Sequence, residues 1–140
     1  MNLFQDGALW GTSGINLEFK IDCDALSDSD IRTLAQIARR RLVYPSKVIP
    51  VPTGGNRLAK ELAKQGLVRT GNTVIVDDVW TTGTSVLKVA VENNLLDKLG
   101  SSAQCLVIFA RGSYPHWVRP LFTINSVLKA QNFLWQEKYV

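Results

Sequence analysis

The chain has 140 residues, of which 46% are hydrophobic and 20% charged, with a formal net charge of +4. This length and composition suit one soluble globular domain with a sizeable core. No apolar run approaches bilayer-spanning length, and Met1 to Asp6 lacks the basic and apolar regions of a secretory signal, so no membrane segment and a cytoplasmic location are expected. The positive charge suits a nucleic acid or a polyanionic small molecule equally well, and does not choose between them. Cys23 and Cys105 lie in apolar contexts without metal-ligand spacing, which predicts reduced, packed thiols rather than a disulfide.

In chain order, Gly7 to Gly14 is glycine-punctuated and reads as a turn, and Leu17, Phe19 and Ile21 then alternate with Glu18 and Lys20 as in a half-buried strand. Ser27-Asp28-Ser29-Asp30 reads as a helix start, with a hydroxyl cap and acids where the dipole favours them. Ile31, Leu34, Ala35, Ala38 and Leu42 continue at helical spacing. Arg39 to Arg41 falls in the last turn, and a solvated helix end explains it better than a nucleic-acid patch. Lys47 to Val51 is a short buried strand running into Pro52-Thr53-Gly54-Gly55-Asn56-Arg57, where paired glycines allow close backbone approach. Leu58, Ala59, Leu62 and Ala63 then form a helix closed by Gly66.

Val74-Ile75-Val76 is an apolar β-branched run without polar alternation, the pattern of a strand covered on both faces in a parallel sheet. It is expected to end in Asp77-Asp78. Thr81-Thr82-Gly83-Thr84-Ser85 follows, and Val86 to Val91 has helical character. That turn therefore falls at a helix N-terminus, where free N–H groups suit a phosphate. The two acids would repel the same phosphate, and fit a neighbouring diol or a Mg²⁺ ion that neutralises further phosphates. The helix is expected to run to about Leu99-Gly100. Ala103 to Ala110 reads as another buried strand with Arg111 at its carboxyl end, and Leu121 to Ile124 as a last strand. Alternating strands and helices predict a parallel α/β sheet with right-handed crossovers. Between the last two strands, Ser113 to Pro120 is aromatic and suited to flanking a planar base. Its His116 has no visible orienting partner and reads as structural rather than as a general base. Val127 to Lys138 is expected as a terminal helix offering Leu128, Phe133, Leu134 and Trp135 for packing or a dimer contact.

Four apolar positions, Asp77-Asp78, two further residues and Thr81 to Ser85 together resemble the signature of the type I phosphoribosyltransferases, which bind phosphoribosyl pyrophosphate (PRPP). The resemblance implies an α/β fold, with a parallel sheet, helices on both faces and a small N-terminal hood of about residues 1–24 within a single domain of residues 1–140. It further implies that the catalytic Asp77 and Asp78 address the ribose hydroxyls, and that Thr81, Thr82, Gly83, Thr84 and Ser85 hold the 5′-phosphate. Thr53, Gly54, Gly55, Asn56 and Arg57 would meet pyrophosphate, and Ser13, Gly14 and Arg111 the base. Mg²⁺ would arrive with the substrate, with no firm protein ligand.

Agreement is best with the orotate phosphoribosyltransferase branch, from which the chain departs in three places. Thr12 stands where those enzymes carry the lysine of a Lys-Ser-Gly turn, and Ala110-Arg111 keeps only the arginine of an Asp-Arg pair. Between Gly66 and Thr73 there is no room for their further strand and long basic loop, leaving Lys60, Lys64 and Arg69 as nearby substitutes. The expected function is phosphoribosyl transfer from PRPP to a nitrogen of a planar, orotate-like base, by a homodimer without nucleic-acid or membrane partners. The rival is a non-catalytic PRPP- or nucleotide-binding regulator, favoured by the missing loop and by Thr12. A Walker-type hydrolase is set aside for want of a Gly-Lys-Ser/Thr element.

Overall fold

Val74, Ile75 and Val76 are wholly buried, which accounts for their lack of polar alternation. They belong to strand β4 (Asn72–Trp80) in a computed structural model that describes residues 2–10 and 16–124. With β3 (Pro45–Pro50), β5 (Ala103–Arg111) and β6 (Val118–Ile124) it forms a parallel sheet in the order β3-β4-β5-β6. Successive side chains leave opposite faces of a strand. Val74, Val76, Leu106 and Ile108 thus pack with helices α1 (Asp28–Arg41) and α2 (Asn56–Lys64). Ile75, Cys105 and Val107 pack with α3 (Thr84–Glu92) and Trp117 on the other face. The expected α/β architecture with helices on both faces is present. A separate antiparallel pair, β1 (Phe4–Trp10) and β2 (Asn16–Ile21), forms the N-terminal hood.

Several local expectations are corrected. Gly7 to Trp10 is strand rather than turn, because pairing with β2 extends through a bulge between Asp6 and Leu9 that absorbs the irregularity. Helix α3 stops at Glu92 instead of running to Gly100: Asn94 takes a left-handed conformation (φ 56°), and a short 3₁₀ turn follows at Leu96–Lys98. Strand β6 begins at Val118, earlier than expected, since its pairing with β5 starts at Cys105. The helix expected at Val127 to Lys138 lies outside the described residues.

The crossovers also depart from expectation. Each connection steps the same way across the sheet, yet α2 covers one face while α3 and the Trp117 segment cover the other. The β3–α2–β4 unit therefore winds with the opposite hand to β4–α3–β5, although about 98% of such crossovers are right-handed. The reason lies in residues 65–71, which take the chain straight from α2 to β4. A strand laid outside β3 before that return would have let every unit keep the usual hand. Without it β3 is a sheet edge, bounded by Pro45 and Pro50 and carrying Lys47, features that discourage edge pairing.

Helix α1 starts in a capping box, in which Ser27 accepts from the Asp30 amide and Asp30 accepts from the Ser27 amide, both at 3.0 Å. Arg39 to Arg41 occupy its last turn, as expected. Gly66 follows α2 with φ 97°. Cys23 and Cys105 are buried free thiols, and no described helix is long and apolar enough to cross a membrane. Gly55, the residue before α2, is held so close to β4 that an added Cβ would collide with the Val76 carbonyl. Gly55→Ala should therefore cost about 1–3 kcal/mol, measured as a lower urea midpoint at unchanged slope.

Candidate functional site: a cavity at the carboxyl ends of the strands

Parallel α/β sheets place ligand crevices beyond the carboxyl ends of their strands. Here that end opens into a cavity of about 460 Å³. Its wall combines Asp77 and Asp78 of β4, Thr81 to Ser85, Pro52 to Gly54 after β3, Arg111 at the end of β5, and Lys20 to Asp24 where the hood joins α1.

Strand β4 does not end at its acids but continues to Trp80, because Val79 and Trp80 still pair with Phe109 and Ala110. Asp77 is thereby drawn into the sheet and is only 7% exposed. Its Oδ1 accepts from the Asp78 amide at 2.8 Å, and Asp78 Oδ1 accepts from the Val79 amide at 2.8 Å. Burial, and then the adjacent Asp78 charge, push the Asp77 carboxyl up to about 8. Asp78 lies against the loop after β3: a Cβ at Gly54 would stand 2.6 Å from its carboxylate atoms. Gly54 is thus the residue that lets loop and acid share one corner. The Pro52–Thr53 peptide in this loop is cis. Cys23, also on the wall, is held up at about 12 by burial and by Asp78, which keeps it a neutral thiol.

Gly83 meets two demands at the turn. Its φ is 83°, and a Cβ there would enter the ring of Trp80, itself 1% exposed. No side chain caps α3, contrary to what Thr and Ser in this turn suggest, and Thr82 and Thr84 instead share a hydroxyl–hydroxyl bond of 3.0 Å. The first-turn amides lack intrahelical acceptors and lie at the positive end of the dipole, an arrangement suited to an anion.

Not every expected residue reaches the cavity. Of the expected Thr53 to Arg57, Thr53 and Gly54 line it. Gly55 abuts Val76, and Asn56 begins α2. Arg57 is turned away, donating to the Cys23 and Leu26 carbonyls (3.4 and 2.8 Å) and to Asp28 (3.1 Å). It fastens the hood-to-α1 segment to α2. Lys60, Lys64 and Arg69 are also off the wall, with Lys64 paired to Glu61. Arg111 is on it but only 2% exposed; its Nη1 donates to the Phe19 carbonyl at 2.7 Å and its guanidinium stacks 4.1 Å above the Phe19 ring. Ser13 and Gly14 lie outside the described residues.

The segment expected to flank a base instead sends Trp117 into the core, edge-on to Trp80 with ring centres 5.6 Å apart. His116 lines a separate cavity of about 200 Å³ with Asn72, Gly100 and Arg119, near the starting ends of β4 to β6. Lys20, Asp22, Cys23 and Asp24 are the wall residues that sequence reasoning missed. The alternation of Phe19 and Ile21 does hold the signal for Lys20, since it puts that side chain on the opposite face of β2.

No protein-family model and no curated protein matches this chain. Among solved structures, the orotate phosphoribosyltransferase of Aeropyrum pernix superposes over 86% of this chain and 88% of its own, with a TM-score of 0.62 and 27% identity. The chain resembles the type I phosphoribosyltransferases in fold. This likeness is to an enzyme of the orotate branch. The orotate phosphoribosyltransferase of Mycobacterium tuberculosis H37Rv, 15% identical with a TM-score of 0.57, shares the fold over the same 86% and 88%.

In this phosphoribosyltransferase-like fold, the raised Asp77 value links stability to pH. The folded chain retains a proton that the unfolded chain releases above 3.8, so the contribution of Asp77 is complete below that value and is lost as pH rises through about 8. Asp77→Asn should remove a slope of up to about 1.4 kcal/mol per pH unit across this window. Urea midpoints at pH 5 and pH 9 check this: the variant should gain on the parent at the higher pH.

Proposed function

We propose that this protein transfers the phosphoribosyl group of PRPP to a ring nitrogen of a planar, orotate-like base. One observation carries the reading. A single cavity holds an acid pair, a hydroxyl-and-glycine turn at a helix N-terminus and a second glycine loop. These are the partners that a ribose diol, a 5′-phosphate and a pyrophosphate require. In the reaction the C1–O bond breaks with its electron pair leaving on pyrophosphate, the C1–N bond forms, and the base's N–H proton passes to solvent.

Thr81 to Ser85 anchor the 5′-phosphate, and binding energy at this remote group holds C1 in position. Asp77 and Asp78 accept from the ribose hydroxyls and lie near the positive charge that develops on the sugar. Ligand bonds and positive charge favour ionised Asp77, so PRPP binding releases its proton. Thr53 and Gly54 receive pyrophosphate, while Gly55, Asn56 and Arg57 support that loop from behind. Arg111, with the hood residues Ser13 and Gly14, forms the base end, where a guanidinium suits a carboxylate. Among the described residues no group of three or more acids, histidines or cysteines gathers to hold a metal. Mg²⁺ would enter with PRPP, with Asp77 and Asp78 as wall carboxylates that could meet it, and would supply charge neutralisation to the leaving group. Two buried free thiols suit a cytoplasmic protein, and the reading includes a homodimer.

A second reading, a PRPP- or nucleotide-binding regulator without turnover, is favoured by one feature: Lys60, Lys64 and Arg69 all stay off the wall, so none of these three replaces the missing loop there. Calorimetric titration with millimolar PRPP and Mg²⁺ should show binding that Asp77→Asn combined with Asp78→Asn abolishes. Absence of heat with the parent protein would end both readings. Turnover with orotate should fall below about 10 s⁻¹, an ordinary enzyme rate, because one lost charge-stabilising donor alone costs about 10²–10³. In competition binding, orotate should outcompete adenine, and Arg111→Ala should erase that preference; equal affinities unchanged by the substitution would remove Arg111 from the site.

A further inference from the structure

The cavity that would receive a polyphosphate is rich in the wrong charge. Among the described residues, Asp22, Asp24, Asp77 and Asp78 line it, against two cations, Lys20 and Arg111. Arg111 is buried, with Nη1 on the Phe19 carbonyl and its plane on the Phe19 ring. The cations expected to serve pyrophosphate are engaged elsewhere or distant from the wall, Arg57 on Asp28 and Lys64 on Glu61 among them. Lys20 differs. It projects from β2 into the cavity lining, it is exposed, and no described carboxylate lies within ion-pair distance of it.

Its strand also ends in the right corner. Immediately after Ile21, Arg57 ties the Cys23 carbonyl to the start of α2, and the Cys23 thiol feels Asp78 as its strongest charged neighbour. Asp78 in turn abuts Gly54. The hood strand thus brings Lys20 to the same cavity that Thr53 and Gly54 line.

We propose that Lys20 is the residue that neutralises the pyrophosphate group, supplied by the hood in place of a loop between α2 and β4. This rests on the PRPP reading above. A flexible four-carbon stem carrying a compact ammonium can follow a phosphate whose position shifts as it departs, which a guanidinium held by Phe19 cannot do. Lys20 acts on the leaving group and makes no bond to the sugar.

The test compares the parent protein, Lys20→Gln and Lys20→Arg by calorimetry with three probes: ribose 5-phosphate, Mg²⁺–pyrophosphate and PRPP with Mg²⁺. Lys20→Gln should weaken Mg²⁺–pyrophosphate and PRPP about tenfold or more, the ordinary effect of one charge-assisted hydrogen bond. Ribose 5-phosphate should bind unchanged, Lys20→Arg should retain most of the affinity, and urea midpoints should not move because the side chain is exposed. Undiminished pyrophosphate binding in Lys20→Gln would overturn the assignment, as would an equal loss for all three probes. A parent protein that binds none of the three probes would defeat the PRPP reading itself, and the role of Lys20 with it.

Discussion

Asp77 follows a strand segment with no solvent exposure and is carried into the same dry sheet, beside a second carboxyl. Burying such a pair opposes folding unless one member keeps its proton, which is what the raised value of Asp77 expresses. The cost is borne because β4 is covered on both faces and continues for two more residues, ending in the buried Trp80. Trp80 then dictates the next element: its ring excludes any side chain at Gly83, whose left-handed φ lets α3 begin directly beyond the acids. Acid pair and glycine-hydroxyl turn are thus products of one packing arrangement. A buried carboxyl with a raised value is the kind of local cost that functional sites concentrate.

Besides apolar packing of Phe19, Ile21 and Cys23, guanidinium groups on backbone carbonyls join the hood segment to the sheet and to α2. Arg111 holds the Phe19 carbonyl and ring, and Arg57 holds the carbonyls of Cys23 and Leu26. Arginine serves here through its fork of donors and its flat face as much as through its charge. One consequence is that Arg57, which charge counting alone would assign to the cavity, is used in structure, while Arg111 is fixed in place on the wall. The aromatic group formed by Phe4, Phe19 and Phe109, with ring centres about 6 Å apart, adds apolar contact between hood and sheet.

The short return from α2 to β4 affects both topology and site. It leaves β3 as an edge, imposes opposite hands on successive crossovers, and removes the span from which a basic lid could arise. Superposition over 86% of the chain on an orotate phosphoribosyltransferase shows that the fold tolerates this economy. The core on each face of the sheet is closed by other means: α1 and α2 on one side, α3 and the Trp80–Trp117 pair on the other.

Local chemistry made much of this legible in the sequence. Apolar runs without alternation gave away the covered strands, Ser27 with Asp30 the start of α1, and the spacing of acids, hydroxyls and glycine the central turn, because each depends on neighbours within a few residues. The hand of the α2 crossover was not legible, since it depends on which face each helix covers. Nor was the departure of Arg57 from the cavity, set by carbonyls 31 and 34 positions away. Lys20 reads as an ordinary polar position on a half-buried strand until the hood is set over the sheet. The sequence by itself determined which elements form and that acids precede a phosphate-suited turn. Only the tertiary structure decided which cations face the cavity, because a long side chain goes where distant backbone acceptors hold it, and those acceptors are brought near by packing rather than by sequence spacing.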